Sequence, residues 1–320
     1  MKPILDAFSL QVDLAMEARD LVRGATGLEI PGVVEQIENT DNAKITIIRI
    51  EDAAAEKTMG KPKGTYITIE SQKLLIRDPE VQEEVSRVIA ERLKPAMEKL
   101  QPSDAVLLVG LGNWRATPDA LGPSTIDASP ITRHYYQYAP QALVPGMRPV
   151  AGIAPGVLGT TGIETLDIVR GVVDHLKPAL IIVVDSLSSQ SADRLGTTIQ
   201  ISDTGIQPGS ASGIIKREAL NQETLGVPVI AIGCPMVVSA VAIAAQAIKS
   251  YSEKTGVVFR EDQITEAIRP VLSTFGGTMT VTPKEIDDLV RNISGVIAFG
   301  VAYSLFPEVS REQLELYASA

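Results

Sequence analysis

The chain has 320 residues, of which 45% are hydrophobic and 21% are charged. This length and composition allow a large buried core, which excludes a disordered protein, a collagen-like fibre and a disulfide scaffold. Acidic residues outnumber basic ones by 39 to 29, and a net charge of -10 argues against a nucleic-acid ligand because it repels phosphate backbones.

The chain is poor in the side chains that bind metals or act as nucleophiles. Cys234 is the single cysteine and cannot form an internal disulfide, and the chain has two histidines, His134 and His175. These residues are too few for a zinc site of four nitrogen and sulfur ligands. We therefore expect no cofactor and no metal, and chemistry that depends on carboxylates, hydroxyls or backbone groups.

The N-terminal twenty residues carry acids throughout and lack the apolar segment of a signal peptide. The apolar run at 227–248 is long enough to cross a membrane, but Pro228, Gly233 and Pro235 interrupt it. We therefore expect a buried strand followed by a buried helix in this run, and no membrane partner.

The first predicted elements are a short helix over 14–22 and, after a stretch rich in glycine and proline, a group of strands. Residues 33–50 and 65–70 alternate apolar and polar positions with many β-branched side chains, and the polar GKPKG at 60–64 connects them. This pattern predicts a small N-terminal antiparallel sheet over about residues 33–70. Asp78 and Pro79 then start an amphipathic helix that is expected to run to Pro95.

From residue 105 onward, short apolar strands alternate with glycine-rich turns. The segments are AVLLVG, PVAGIAPG, ALIIVVDS, TTIQIS and VPVIAIG. Strands that are apolar on both faces are typical of a mostly parallel sheet covered by helices. The predicted fold class is therefore α/β, with a mostly parallel central sheet, the small N-terminal antiparallel sheet and C-terminal helices.

Two aspartates are candidates for catalysis because of their places at strand ends. Asp185 closes the apolar strand ALIIVVD, and Asp119 lies in the loop after AVLLVG. Ligands and catalytic groups of open α/β sheets collect at the carboxyl ends of the strands. A partly desolvated carboxylate with a second one nearby has a raised pKa, and such a pair can share a proton for acid and base catalysis.

Other motifs give weaker indications. The Gly110–Asn113 turn (GLGN) lacks the third glycine of a dinucleotide fingerprint, and the glycine-rich loop at 152–162 lacks the lysine of a phosphate-binding loop. The triplet at 203–205 is similar to the D-T-G of pepsin-like proteases, but one triplet at Asp203 is more simply a turn. His134 has no recognisable catalytic motif around it.

Three long segments together resemble the germination protease family of endospore-forming bacteria. They are the head VDLAMEA at 12–18, VGLGNWRATPDALGP at 109–123, and IIVVDSLSSQSADRLGTTIQISDTGIQPGS at 181–210. The resemblance implies an endopeptidase that degrades small acid-soluble spore proteins at germination. It also implies a phosphorylase/hydrolase-like α/β core similar to that of the hydrogenase maturation endopeptidases. The functional aspartates of the family fall on Asp119 and Asp185.

The same resemblance implies a zymogen that processes itself. The matching bond is Asp13-Leu14, so that residues 1–13 are the expected pro-segment and residues 14–320 a single peptidase domain. A homotetramer in the cytoplasm of the forespore and the spore core is also implied. Two alternatives stay open: a metal-dependent peptidase of the maturation type, suggested by the spacing of Asn113 and Asp119, and a nucleotide-binding or small-molecule-binding α/β domain without proteolysis.

Overall fold

The computed structural model describes residues 1–207, 218–272 and 279–318, without the side chains of residues 25 and 26. The last part of the 181–210 motif, residues 208–210, therefore lies outside the described residues. The described strands are β1 (Val33–Asn39), β2 (Lys44–Ile50), β3 (Gly64–Glu70), β4 (Val106–Gly110), β5 (Val150–Ile153), β6 (Leu180–Ser189), β7 (Thr198–Ser202), β8 (Val229–Ser239) and β9 (Thr280–Val281).

Helices cover both faces of the sheet that these strands form. In the described residues they are α1 (Lys2–Ala7), α2 (Ala15–Thr26), α3 (Ala53–Met59), α4 (Pro79–Met97), α5 (Leu121–Asp127), α6 (Arg133–Tyr138), α7 (Leu158–Thr161), α8 (Thr165–Leu176), α9 (Gln222–Leu225), α10 (Ala240–Thr255), α11 (Glu261–Leu272), α12 (Ile286–Leu305) and α13 (Arg311–Ala318). The fold is thus a mixed α/β fold, as the strand and helix patterns predict. No helix in the described ranges is long and apolar enough to cross a membrane.

The strands of the described residues form one sheet in the order β1-β2-β3-β7-β8-β6-β4-β5, with β9 paired to β8. The strands β8, β6, β4 and β5 are parallel, as expected for strands buried on both faces. The strands β1, β2 and β3 are antiparallel, as expected for residues 33–70, but they do not form a small sheet of their own, because β3 pairs with β7 and continues the central sheet.

Two further differences concern strand direction and length. TTIQIS forms β7, which is antiparallel to β8, because residues 190–197 are too few for the crossover that a parallel strand needs. The strand VPVIAIG was expected to end near Gly233, but β8 continues through Pro235 to Ser239. The pairing of β8 with β6 shifts register after Leu187, which accommodates the missing N–H of Pro235.

The main core lies between one face of the sheet and the helices α4, α5, α12 and α13. The stripe of α4 that faces it consists of Val81, Val85, Ile89 and Leu93, spaced for one helical face. The opposite face is covered by α8 and, toward the antiparallel end, by α2 and α3. Asp78 caps α4 as predicted, but the helix runs two residues past Pro95 to Met97.

Candidate active site

Asp185 lies on β6 at the level where the neighbouring strand β4 ends. The last residue of β4, Gly110, pairs with Val184, so Asp185 is the first residue of β6 beyond β4. The side chain is buried, and Oδ1 accepts a hydrogen bond from the Ser186 amide at 2.8 Å. The strand does not end at Asp185, as the sequence suggested, but continues to Ser189.

The point between β4 and β6 is where the strand order of the parallel sheet reverses. The strand after β4 in the chain, β5, lies on one side of β4, and β6 lies on the other. The connections from the two strands therefore leave a crevice at the carboxyl edge, which is where ligands of open α/β sheets bind. Asp119 follows β4 and Asp185 lies on β6, so that both aspartates belong to this crevice.

A tight turn of backbone places Asp119. The residue ends a short 3-10 segment, Thr117–Asp119, which contacts β6 and β8 and leads directly into α5. Its carbonyl accepts a hydrogen bond from the Asn113 amide at 2.9 Å, and its amide donates to the Ala116 carbonyl at 2.7 Å. Gly112 has a φ of +120°, and a Cβ there would lie 1.9 Å from the Asp119 carbonyl oxygen, so only glycine fits.

The glycines of this region serve close packing of the chain on itself. A Cβ on Gly110 would lie 2.3 Å from the carbonyl oxygen of Gly122, and a Cβ on Gly122 would lie 2.5 Å from that of Val184. The absence of side chains thus lets the start of α5 approach β4 and β6. At the Gly110–Asn113 turn, which resembles half of a dinucleotide fingerprint, α5 and Asp119 fill the space next to the glycines.

The two aspartates are coupled electrostatically. Burial raises the pKa of Asp185 well above its usual range, and the negative charge of Asp119 raises it further. The hydrogen bond from the Ser186 amide acts in the opposite direction, and the carboxylate of Asp13 adds a smaller upward effect. A carboxyl group in this environment keeps its proton at a pH where an ordinary aspartate has lost it.

The chain around Asp13 lies on the same side of the sheet. The Asp13 side chain accepts a hydrogen bond from the Ser188 amide at 2.8 Å, and its carbonyl oxygen accepts one from Lys61 Nζ at 2.8 Å. Gln200 Nε2 donates to the same carbonyl at 3.3 Å. Asp13 is buried, and Leu14 is fully buried. Sequence reasoning selected the Asp13-Leu14 bond but missed Lys61 and Gln200.

Glu17, in the first turn of α2, is anchored by three donors. They are Ser189 Oγ at 2.7 Å, the Gln190 amide at 3.0 Å and Arg194 at 2.5 Å. Burial raises the pKa of Glu17, and the charge of Arg194 opposes that rise. The start of α2 is therefore fixed to the end of β6 and the segment after it.

The remaining candidates of the sequence lie elsewhere or have structural partners. Asp203 accepts a hydrogen bond from the Thr65 amide at 2.7 Å and so joins the end of β7 to β3. His134 is exposed on α6, with its ring against Tyr135 at 4.1 Å between centroids. Cys234 is buried on β8, and burial raises the pKa of its thiol to about 12. In the parts of the chain described here, no three His, Cys, Asp or Glu side chains group as metal ligands do.

The comparisons with known proteins show which family the chain belongs to. The family model described as germination protease matches residues 12–268. The chain belongs to the germination protease family. The germination protease of Caldanaerobacter subterraneus subsp. tengcongensis is 45% identical to it over 318 residues, covering 95% of this chain and 97% of that protein. The germination protease of Bacillus subtilis is 36% identical, with 98% of each chain covered.

Among solved structures, a hydrogenase maturation protease, HycI from Thermococcus kodakarensis KOD1, is similar over 44% of this chain and 80% of its own. The identity is 18% and the TM-score 0.27. Membership of the germination protease family makes this chain a protease, and both Asp119 and Asp185 lie within the matched residues.

Proposed function

We propose that this germination protease hydrolyses small acid-soluble spore proteins with a water molecule activated between Asp119 and Asp185. The observation that carries the proposal is the burial of Asp185 at the crevice where the strand order reverses, where burial and the charge of Asp119 raise its pKa. A pair of carboxylates at one site, one of them with a raised pKa, is the arrangement that acid and base catalysis by a pair requires.

In this mechanism the two aspartates have different roles. The more buried Asp185 enters the reaction with its proton, and Asp119 enters as the carboxylate. Water attacks the carbonyl carbon of the scissile bond while its proton moves to Asp119. Asp185 gives its proton to the amide nitrogen as the carbon–nitrogen bond breaks. Asp119 then holds the proton and Asp185 is ionised, and exchange with solvent restores the starting state.

We further propose that the chain is made as a zymogen with residues 1–13 as its pro-segment and residues 14–320 as a single peptidase domain. The family resemblance of VDLAMEA supports the Asp13-Leu14 bond as the processing site. A phosphorylase/hydrolase-like core, a homotetramer and action in the forespore and spore core are further parts of this proposal, as the family resemblance implies. Sedimentation of the purified chain tests the tetramer.

The decisive experiment uses the variants Asp119→Asn and Asp185→Asn, which keep the shape of each side chain. Both are expected to lose cleavage of a purified small acid-soluble spore protein by at least ~100-fold, the usual contribution of one acid or base. Their circular dichroism is expected to match that of the unchanged chain. Undiminished cleavage by both variants would contradict the mechanism, and loss of activity on exhaustive chelation would favour a metal-dependent one.

A further inference from the structure

The carbonyl group of the expected processing bond has two donors aimed at its oxygen. Lys61 Nζ lies 2.8 Å from the Asp13 carbonyl oxygen, and Gln200 Nε2 lies 3.3 Å from it. This oxygen belongs to the Asp13-Leu14 peptide bond. A backbone carbonyl usually pairs with a backbone amide, so that an ammonium group and a side-chain amide on one carbonyl are an uncommon pair of partners.

Gln200 also contacts the far side of the same bond. Its Oε1 accepts a hydrogen bond from the Ala15 amide at 2.7 Å, while its Nε2 donates to the Asp13 carbonyl. The Gln200 side-chain amide therefore bridges Asp13, the residue before the bond, and Ala15, the second residue after it. The Asp13 carboxylate is fixed separately by the Ser188 amide at 2.8 Å. The bond is thus fixed on both sides, as a bound substrate is.

Sheet register relates this contact to the aspartate pair. Gln200 on β7 pairs with Gly233 on β8, and Gly233 pairs with Asp185 on β6. Residues paired directly across strands point to the same face, and strands lie 4.7–4.9 Å apart, so the Cα atoms of Gln200 and Asp185 are roughly 10 Å apart on one face. Gly233 has no side chain, and the Leu187 side chain occupies the space over it, between Gln200 and Asp185.

We propose that Lys61 is a third catalytic residue, whose Nζ stabilises the negative charge that develops on the carbonyl oxygen of the Asp13-Leu14 bond during self-processing. Gln200 is the second donor to that oxygen and positions the bond. The proposal rests on the proposed function, because Asp119 and Asp185 supply the attacking water and the proton for the leaving nitrogen. A fixed cation at the point where negative charge develops stabilises the transition state more than the ground state.

The charges around Lys61 fit this role. Burial lowers the pKa of Lys61, and the carboxylates of Asp13 and Glu17 oppose that effect. The two carboxylates therefore favour the ammonium form of Lys61, against the effect of burial. A purely structural role, in which Lys61 only neutralises these two carboxylates, needs a readout other than activity to separate it from catalysis.

The test uses the full-length chain and follows loss of residues 1–13 by intact-mass spectrometry, in the conditions where the unchanged chain is processed fastest. Lys61→Met removes the charge and the donor, Lys61→Arg keeps both, and Gln200→Glu removes the second donor. Lys63→Met, an exposed lysine of the same loop, is the matched control. Lys61→Met is expected to slow processing about 100-fold or more, the usual effect of losing one oxyanion donor. Lys61→Arg is expected to recover most of the rate, and Lys63→Met to match the unchanged chain.

Hydrogen exchange of the Ala15 amide, measured in chains that also carry Asp185→Asn, separates catalysis from structure. If Lys61 acts on the oxyanion, this amide stays protected by Gln200 when Lys61→Met is added. Faster exchange of this amide in the Lys61→Met chain would assign a structural role and overturn the proposal. Processing of Lys61→Met within twofold of the unchanged rate would also overturn it.

The failure of the proposed function gives a different result. If Asp185→Asn alone still loses residues 1–13, the aspartate mechanism fails whatever Lys61 does. If the fragment released by the unchanged chain ends at another residue, the contact of Lys61 is not at the processed bond, and the proposal is overturned while the aspartate mechanism stands.

Discussion

Leu14 is the residue whose truncation tests most directly how the chain around the proposed processing bond is anchored. Its side chain is fully buried in a cluster with Met59, Tyr66 and Leu187. Leu14→Ala removes about three carbon groups at ~0.8 kcal/mol each, or about 2.4 kcal/mol of lost burial. The neighbours belong to β3, β6 and α3 and cannot all move inward, so a cavity remains. The expected loss in free energy of unfolding is therefore about 3–4 kcal/mol, in the middle of the range for such truncations.

Urea unfolding measures this loss, with Asp185→Asn in every chain so that the bond stays intact during the experiment. Leu316→Ala is the control, because the Leu316 side chain is 73% exposed, and its truncation is expected to change the free energy by less than ~0.5 kcal/mol. A loss of under ~1 kcal/mol for Leu14→Ala would refute the reasoning, because it would mean that the first turn of α2 is not packed in solution as described.

Three further predictions concern the aspartate pair and its supporting turn. Asp185→Asn is expected to stabilise the chain more at high pH than at low pH. The pKa of Asp185 is raised in the folded chain, so the unchanged chain loses stability as the pH rises from the ordinary aspartate pKa through the folded pKa, whereas the Asp185→Asn chain does not. Urea unfolding of both chains at pH 4 and pH 8 measures this, and an equal difference in free energy of unfolding at the two pH values would contradict it. Asp13→Asn is expected to lower the pKa of Asp185, because it removes a negative charge that raises this pKa. NMR titration of the Asp185 carboxyl group measures the shift, and an unchanged pKa would contradict the prediction. Gly112→Ala is expected to lower the free energy of unfolding by at least ~2 kcal/mol and to reduce proteolysis by displacing Asp119. Gly24→Ala, with open space around it in α2, is the control and is expected to raise the free energy of unfolding by ~0.5–1 kcal/mol. Thermal unfolding of both variants checks this.

Local pattern placed the two candidate aspartates at one edge of the sheet. Uniformly apolar segments fix β4 and β6 as strands covered on both faces, and the first carboxylate after each one must lie near the carboxyl edge of the sheet. Asp119 and Asp185 lie at the same crevice because β4 and β6 are adjacent and parallel. The sequence did not show that Asp185 lies within β6, because Ser186, Ser188 and Ser189 carry polar side chains although their backbone continues the strand.

Strand direction could not be predicted from alternation of apolar residues, because a strand has the same side-chain period in either direction. The segment TTIQIS therefore reads alike as a parallel or an antiparallel strand. Connection length carried the missing information, since residues 190–197 cannot form a parallel crossover. The continuation of β8 through Pro235 was also unpredictable locally, because it depends on a register shift beside Leu187 on another strand.

The direction of β7 matters for function, because it determines what lies beside the aspartates. The parallel strands carry Asp185, whereas the antiparallel extension brings Gln200 on β7, and Lys61 just before β3, to the same face of the sheet. A separate N-terminal sheet would have left the GKPKG segment as an ordinary connection. The two parts of the sheet are joined edge to edge. In the proposed mechanism the parallel part activates water, and the antiparallel part fixes the carbonyl of the Asp13-Leu14 bond. Within β7, Gln200 is one of three polar residues that alternate with Ile199 and Ile201, so the sequence alone did not single it out.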